Sequence, residues 1–181
     1  MKQNKKTVDD LVDWIDENGN LLGVVTRSRA HLKGLLHRLS VIYLLNNKKQ
    51  ILIQVRAKDS KWDHSVGGHV DAGEDHKESA VREMEEELGI KNLKIIELEE
   101  SVIEYPIQGR KDQSHHFFKI YVGFGQPGEI NPLEVKDVFW ADPYQLAAKM
   151  KKDLDHIQFT PGIKTTISTF LKYLKQNQKS E

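Results

Sequence analysis

The sequence contains no cysteine. Disulfides, thiolate metal sites and cysteine nucleophiles are therefore excluded. It has no net charge either: 27 Lys and Arg balance 27 Asp and Glu. No global field draws the chain to nucleic acid or to an anionic membrane. No apolar run approaches the roughly 20 residues that a transmembrane helix needs, and the opening stretch MKQNKKTVDDLVDW lacks a signal-peptide core. A cytoplasmic protein is the simplest expectation. At 181 residues the chain is long enough for one well-buried core, so a single domain over 1–181 is expected.

Met1–Lys6 is polar and expected to fray. A β-hairpin is expected from about Leu11 to Thr26, because alternating segments flank the turn pair Asn18-Gly19. Ser28–Leu36 reads as a loop or short helical turn. Two β-prone runs follow, Leu39–Leu45 and Gln50–Arg56, joined by Asn46–Lys49. The stretch KDSKWDHSVGGHVDAGED reads as loop with a short strand near Ser65–Val66. Glu78–Leu88 predicts a helix: Val81, Met84 and Leu88 form an i, i+3, i+7 apolar stripe, and Gly89 suits the C′ position. Strands are expected over Leu93–Tyr105, His115–Phe124 and Val138–Trp140. A helix is expected from Asp142 or Pro143 to about Lys151, and a last one from Thr165 to Gln176. Interspersed strands and helices place the chain in the α/β or α+β class with a layered core.

One helix carries an apparent defect. Glu83, Glu85, Glu86 and Glu87 occupy four of five consecutive positions close to its C-terminal end. Like charges at i,i+4 cost roughly 0.2–0.5 kcal/mol per pair, and acidic groups at a C-terminus oppose the dipole by about 0.3–1 kcal/mol each. Glu83, Glu86 and Glu87 share one arc, whereas Glu85 falls between that arc and the apolar stripe. Three clustered carboxylates are hard oxygen ligands that suit Mg²⁺, Mn²⁺ or Ca²⁺, and a cation would relieve the repulsion. The rival reading is a solvated acidic face. Upstream, Gly67, Gly68 and Gly73 allow main chain to approach a ligand closely.

The spacing from Gly68 is five residues, Glu74, seven residues, then Arg82-Glu83-Met84-Glu85-Glu86-Glu87-Leu88-Gly89-Ile90. This resembles the Nudix box at each of its fixed positions: Gly68, Glu74, Arg82, Glu83, Glu86, Glu87 and Gly89, with Met84 and Ile90 at its aliphatic ones. The resemblance implies an α/β/α sandwich around a mixed β-sheet. It also implies cleavage of the diphosphate linkage of a nucleoside diphosphate derivative. Glu83, Glu86 and Glu87 would hold Mg²⁺ or Mn²⁺, with the Gly68 carbonyl as a further ligand. Glu74 would support the helix or the outer metal shell, and Arg82 would orient a glutamate. The general base is open between Glu86, Glu87 and the more distant Glu134, for which an exposed loop glutamate is the rival reading.

The flanking segments around Leu36-His37-Arg38, Gln54–Ala57, HSVGGH, FWADPYQL and FTPGIKTTISTFL are similar to the branch containing isopentenyl-diphosphate isomerase. That enzyme needs a cysteine before the Gly-His of this loop, where Gly67 stands here. It also needs a glutamate pair on a later strand, where the chain reads Ser114-His115-His116-Phe117. The resemblance is therefore taken as one of scaffold. His37 and His69 match isomerase metal-ligand positions and His31 lies near a third; without the strand glutamates that site would be incomplete, so a second metal stays open while structural or substrate-contacting roles are expected. Strand alternation allows one of His115 and His116 to face the cleft. Arg56, Lys58 and Lys61 are candidates for substrate phosphates, against a solvated loop edge. Arg27, Arg29 and Arg38 have no defined geometry. Trp62 stacks on a base or packs under the loop, and Phe139 and Trp140 read as core. The expected partner is a small diphosphate compound, with no nucleic acid and no membrane; a homodimer stays open. The rival functions are a non-catalytic nucleotide sensor, an RNA end-processing hydrolase and the isomerase itself.

Overall fold

The computed structural model describes residues 9–177, so the expectation for Met1–Lys6 lies outside the described residues. Strand β1 (Leu11–Ile15) pairs antiparallel with β2 (Leu21–Thr26). Between them Asp16 Oδ1 accepts the Asn18 and Asn20 N–H groups. The stretch after the hairpin is a two-turn helix, α1 (Arg27–Lys33), capped by Thr26 and ended by Gly34.

At the centre lies β3 (His37–Leu45). It pairs antiparallel with β1, with β4 (Ile51–Arg56) and with β6 (Val66–His69), and parallel with β9 (His116–Phe124). A two-residue strand, β5 (Trp62–Asp63), and the edge strand β10 (Val135–Ala141) complete the β4 side. The sheet is therefore mixed. Along β3, Val41, Tyr43 and Leu45 enter one core, and Ile42 and Leu44 enter the other. A strand covered on both faces needs apolar side chains at successive positions, which is why VIYLL is continuous.

Helices α3 (Pro143–Met150) and α4 (Pro161–Asn177) cover the first face, with Phe170 stacked on Tyr43 at 4.1 Å between ring centres. Helix α2 (His76–Leu88) covers the second. The result is the α/β/α sandwich that the resemblance implies. Among the described residues no helix is long and apolar enough to cross a membrane.

Three expectations are corrected. The single strand over Leu93–Tyr105 is two short strands, β7 (Ile95–Glu97) and β8 (Val102–Glu104). Both pair with β9, but Glu97 opposes Tyr121 while Val102 opposes Phe118. The extra residues bulge out, and Leu98 buries its side chain there while its N–H bonds the Ile120 carbonyl. On α2 the buried stripe is Ala80, Met84 and Leu88, whereas Val81 is exposed; the helix face is rotated by one residue from the expected one. Both α2 and α4 start earlier than the periodicity indicates. Asp75 caps the N–H groups of Lys77 and Glu78, and Pro161 fits a first turn that requires no donor from it.

Candidate active site

The clustered glutamates of α2 divide by environment. Glu85 points outward and pairs with Lys91 at 3.0 Å. Glu86 is half-exposed at the rim, where Arg82 Nη1 donates to it at 3.1 Å. Glu83 and Glu87 turn inward. The Gly67 N–H donates to Glu87 Oε2 at 3.2 Å, and Gln54 adds a side-chain bond. Glu83 lies directly over Gly68: a Cβ there would meet the Glu83 carboxyl carbon at 2.1 Å. Only glycine fits beneath that carboxylate.

Burial, with Glu83 beside it, pushes the Glu87 carboxyl up to about 8. Burial also pushes Glu83 up to about 7, against the attraction of Arg82. Glu134, in the loop before β10, brings a third carboxylate; its oxygen and those of Glu83 and Glu87 all lie within 4.8 Å of one another. The tight trio is thus Glu83, Glu87 and Glu134, with Glu86 beside it on the cleft wall, rather than Glu83, Glu86 and Glu87. Two inward carboxylates that burial keeps at least half protonated at neutrality, with a third at hand, fit a divalent cation that would replace those protons.

Arg82 organises this group. Its guanidinium grips Glu74 through two bonds of 3.0 Å and reaches Glu83 at 2.8 Å and the His69 carbonyl at 3.3 Å. The Arg82 hydrogen bonds hold the Glu74 carboxyl below its usual range. Glu74 therefore stays an anion that anchors Arg82 and does not enter the trio. Gly73 donates its N–H to Asp13, which also pairs with Arg38. Gly89 ends α2 in the left-handed region at φ 61°.

A cleft of about 870 Å³ opens onto these groups. Arg56, Lys58 and Lys61 line it. Arg56 is shared between Asp59 at 3.1 Å and Asp63 at 3.4 Å, and the Lys61 ammonium donates to the His156 carbonyl at 2.6 Å. His69 also lines the cleft, but His37 has no exposed surface and stands behind the wall. Trp62 packs edge-on against Phe139 and Phe159, at 4.6 and 5.3 Å between ring centres, which is the under-the-loop reading. Of the paired histidines, His116 faces the cleft while His115 turns to the Gly34 carbonyl.

Sequence reasoning did not single out Gln54, Asp63, His64 or Glu104. His64 bridges Asp63 at 2.8 Å and Thr166 of α4 at 2.6 Å. Burial opposes ionisation of Asp63, but His64, Arg56 and Thr160 bring its carboxyl down to about 2. Glu104 on β8 meets His116 at 2.7 Å. Only strand register places it there, so no local signal marked it.

Fold and carboxylate group together fit one class, the hydrolases of the α/β/α sandwich type. A sequence model described as the NUDIX domain matches residues 36–162, and the chain belongs to the Nudix family. Over 94% of its length it is 29% identical to an uncharacterized Nudix hydrolase of Yersinia pestis, covering 91% of that protein. A shorter match, 38% identical, joins 46% of the chain to 52% of an uncharacterized Nudix hydrolase of Pseudomonas aeruginosa. An isopentenyl-diphosphate Delta-isomerase of Pectobacterium atrosepticum is 26% identical over 88% of the chain and 90% of its own. Among solved structures, DR0079 from Deinococcus radiodurans superposes with a TM-score of 0.64 at 26% identity, covering 80% of this chain and 94% of that one. The E. coli dihydroneopterin triphosphate pyrophosphohydrolase, at 19% identity and a TM-score of 0.56 over 74% and 93%, shares the fold.

Proposed function

We propose that the chain is a Mg²⁺- or Mn²⁺-dependent hydrolase that cleaves the diphosphate linkage of a nucleoside diphosphate derivative or a similar small diphosphate compound. The observation that carries this reading is the carboxylate trio at the end of a cleft lined by cations. Glu83, Glu87 and Glu134 would hold the ion, with Glu86 and the Gly68 main chain beside them. When bound, such a cation neutralises diphosphate oxygens and makes water more acidic. The chain's own residues supply the rest. Arg56, Lys58 and Lys61 meet the substrate's anionic oxygens, and Arg82 keeps Glu83 and Glu86 aimed. Glu134, the exposed carboxylate of the trio, would accept a proton from the attacking water on the oxygen that does not face the ion. Water adds to one phosphorus, the bridging P–O bond breaks, and the leaving oxygen ends as a phosphate monoester or pyrophosphate.

Two observations weigh against isomerisation. Gly67 carries no thiol, and the chain has no cysteine elsewhere. The test is phosphate release from a panel of ADP-ribose, NADH, nucleoside triphosphates, dinucleoside polyphosphates, nucleotide sugars, coenzyme A and a prenyl diphosphate. Each is run with Mg²⁺, Mn²⁺ or chelator. Metal-dependent turnover of one class, lowered by about a hundredfold or more in Glu87→Gln, is expected. Thermal stabilisation by a ligand without turnover of any would replace this reading with a sensor.

A further inference from the structure

Four imidazoles converge outside the carboxylate trio. His31 comes from α1, His37 from β3, His69 from β6 and His116 from β9, and one ring nitrogen of each lies within 4.8 Å of the others. The six ring-to-ring distances are nearly equal. They are 4.9, 5.1 and 5.2 Å from His31 to His37, His69 and His116, 5.1 and 4.8 Å from His37 to His69 and His116, and 5.5 Å between His69 and His116. Equal separations among four points describe a tetrahedron. With metal–nitrogen bonds of about 2.0–2.1 Å, four imidazoles on one tetrahedral ion have ring centres roughly 5 Å apart.

Hydrogen bonds on the far side of the rings fix which nitrogen is free. The Leu35 carbonyl, 2.8 Å from His37 Nδ1, can only accept, so Nδ1 carries the proton and Nε2 the lone pair. Glu104 holds His116 Nδ1 at 2.7 Å, and Asp112 holds His31 Nδ1 at 2.9 Å. The Nε2 atoms of His37 and His116 are buried with no hydrogen-bond partner, although both residues are more than nine-tenths buried. Buried lone pairs without a donor are costly unless something fills the space between them. Three of the four imidazoles are backed by a carboxylate or carbonyl, as metal-bound histidines ordinarily are, and the fourth, His69, turns its Nε2 to within 2.9 Å of His31 Nε2 inside the cluster.

We propose that His31, His37, His69 and His116 form a second metal site, built of nitrogen alone, which takes a borderline divalent ion of the Zn²⁺ class. Imidazole suits Zn²⁺, Ni²⁺ and Co²⁺, whereas carboxylates suit Mg²⁺ and Mn²⁺, so the two centres sort different ions. They share no ligand. An ion here ties α1 to three strands of the sheet at the wall of the cleft, which His31, His69 and His116 line. The inference does not rest on the proposed hydrolysis.

The test strips the full chain of metal, adds Zn²⁺, and reads bound Zn²⁺ per chain after desalting together with the shift in Tm. Wild type and Glu87→Gln are both expected to keep about one Zn²⁺ and to gain in Tm. His116→Gln and His31→Gln are each expected to lose Zn²⁺ affinity by at least tenfold, along with the rise in Tm. His31 stands on a short surface helix, so its variant reports even where His116→Gln does not fold. Co²⁺ in place of Zn²⁺ gives a visible absorption band that the histidine variants lack and Glu87→Gln keeps. Absence of stoichiometric Zn²⁺ in wild type, unchanged binding in both histidine variants, or loss in Glu87→Gln instead would each overturn the proposal.

Discussion

Burial decides the behaviour of Glu83 and Glu87, and that has a consequence for stability. In the metal-free fold their carboxyls keep protons up to about 7 and about 8, against an ordinary 4.5. The unfolded chain therefore releases these protons first as pH rises. Stability from both groups is whole below about pH 4.5 and is lost progressively up to about pH 8. Tm measured in chelator across that window should fall more steeply for wild type than for Glu87→Gln; parallel slopes would show that burial does not perturb Glu87. Arg82 is the other decisive residue, because its planar fork satisfies Glu74 twice and still reaches Glu83 and Glu86. Lysine offers a point charge and no fork. Arg82→Lys is expected to weaken Mn²⁺ binding, followed by its paramagnetic signal, by about 10–100-fold. These residues were legible because box spacing is a one-dimensional pattern. Glu134's place was legible only as one candidate among others, since loop geometry brings it to the trio.

Helix α2 and the loop after it act as one element. The Gly128 and Asn131 N–H groups bond the carbonyls of Leu88 and Glu87, at 2.9 and 3.0 Å. The loop that satisfies the helix end is thus the loop that delivers Glu134. At Gly89 the backbone is left-handed, and a Cβ would stand 2.7 Å from the Glu129 carbonyl oxygen. Gly89→Ala is expected to cost about 1–3 kcal/mol in urea unfolding and to weaken Mn²⁺ binding as well, because relieving the clash moves the 128–134 loop. Lost stability with unchanged Mn²⁺ affinity would uncouple loop from site. Caps and turns of this sort are local: Gly89 is visible in the sequence as a helix stop, whereas the Asp75 cap lies ahead of the start that the periodicity marks at Glu78. The break between β7 and β8 is not local. It arises from the register of β9, and Leu93–Tyr105 alone reads as continuous strand.

At the scale of the molecule, the sheet separates two cores. Tyr43, Phe118 and Phe170 belong to the α4 side, while Ile42, Met84 and Tyr121 belong to the α2 side. The four-histidine group depends on this arrangement: β3 and β9 run parallel, with His37 opposite His116, although 79 residues separate them in the chain. No sequence period encodes that pairing, which is why His37 and His69 could be marked individually and the closed set of four could not. The same layering separates stability from metal binding. Met84 and Phe170 are both fully buried, and truncation to alanine is expected to cost about 2–5 and 3–5 kcal/mol respectively. Met84 stands between Glu83 and Glu87 in the chain, so a cavity beneath it lets α2 settle and draws both carboxylates from their places over Gly67 and Gly68. Phe170 lies across the sheet, against Tyr43. Met84→Ala is therefore expected to lower Mn²⁺ affinity by about tenfold at a temperature where it stays folded, and Phe170→Ala to leave it within about twofold despite an equal or larger loss in unfolding free energy. Similar losses of affinity in both variants would mean that the sheet transmits strain between its faces instead of insulating the site from it.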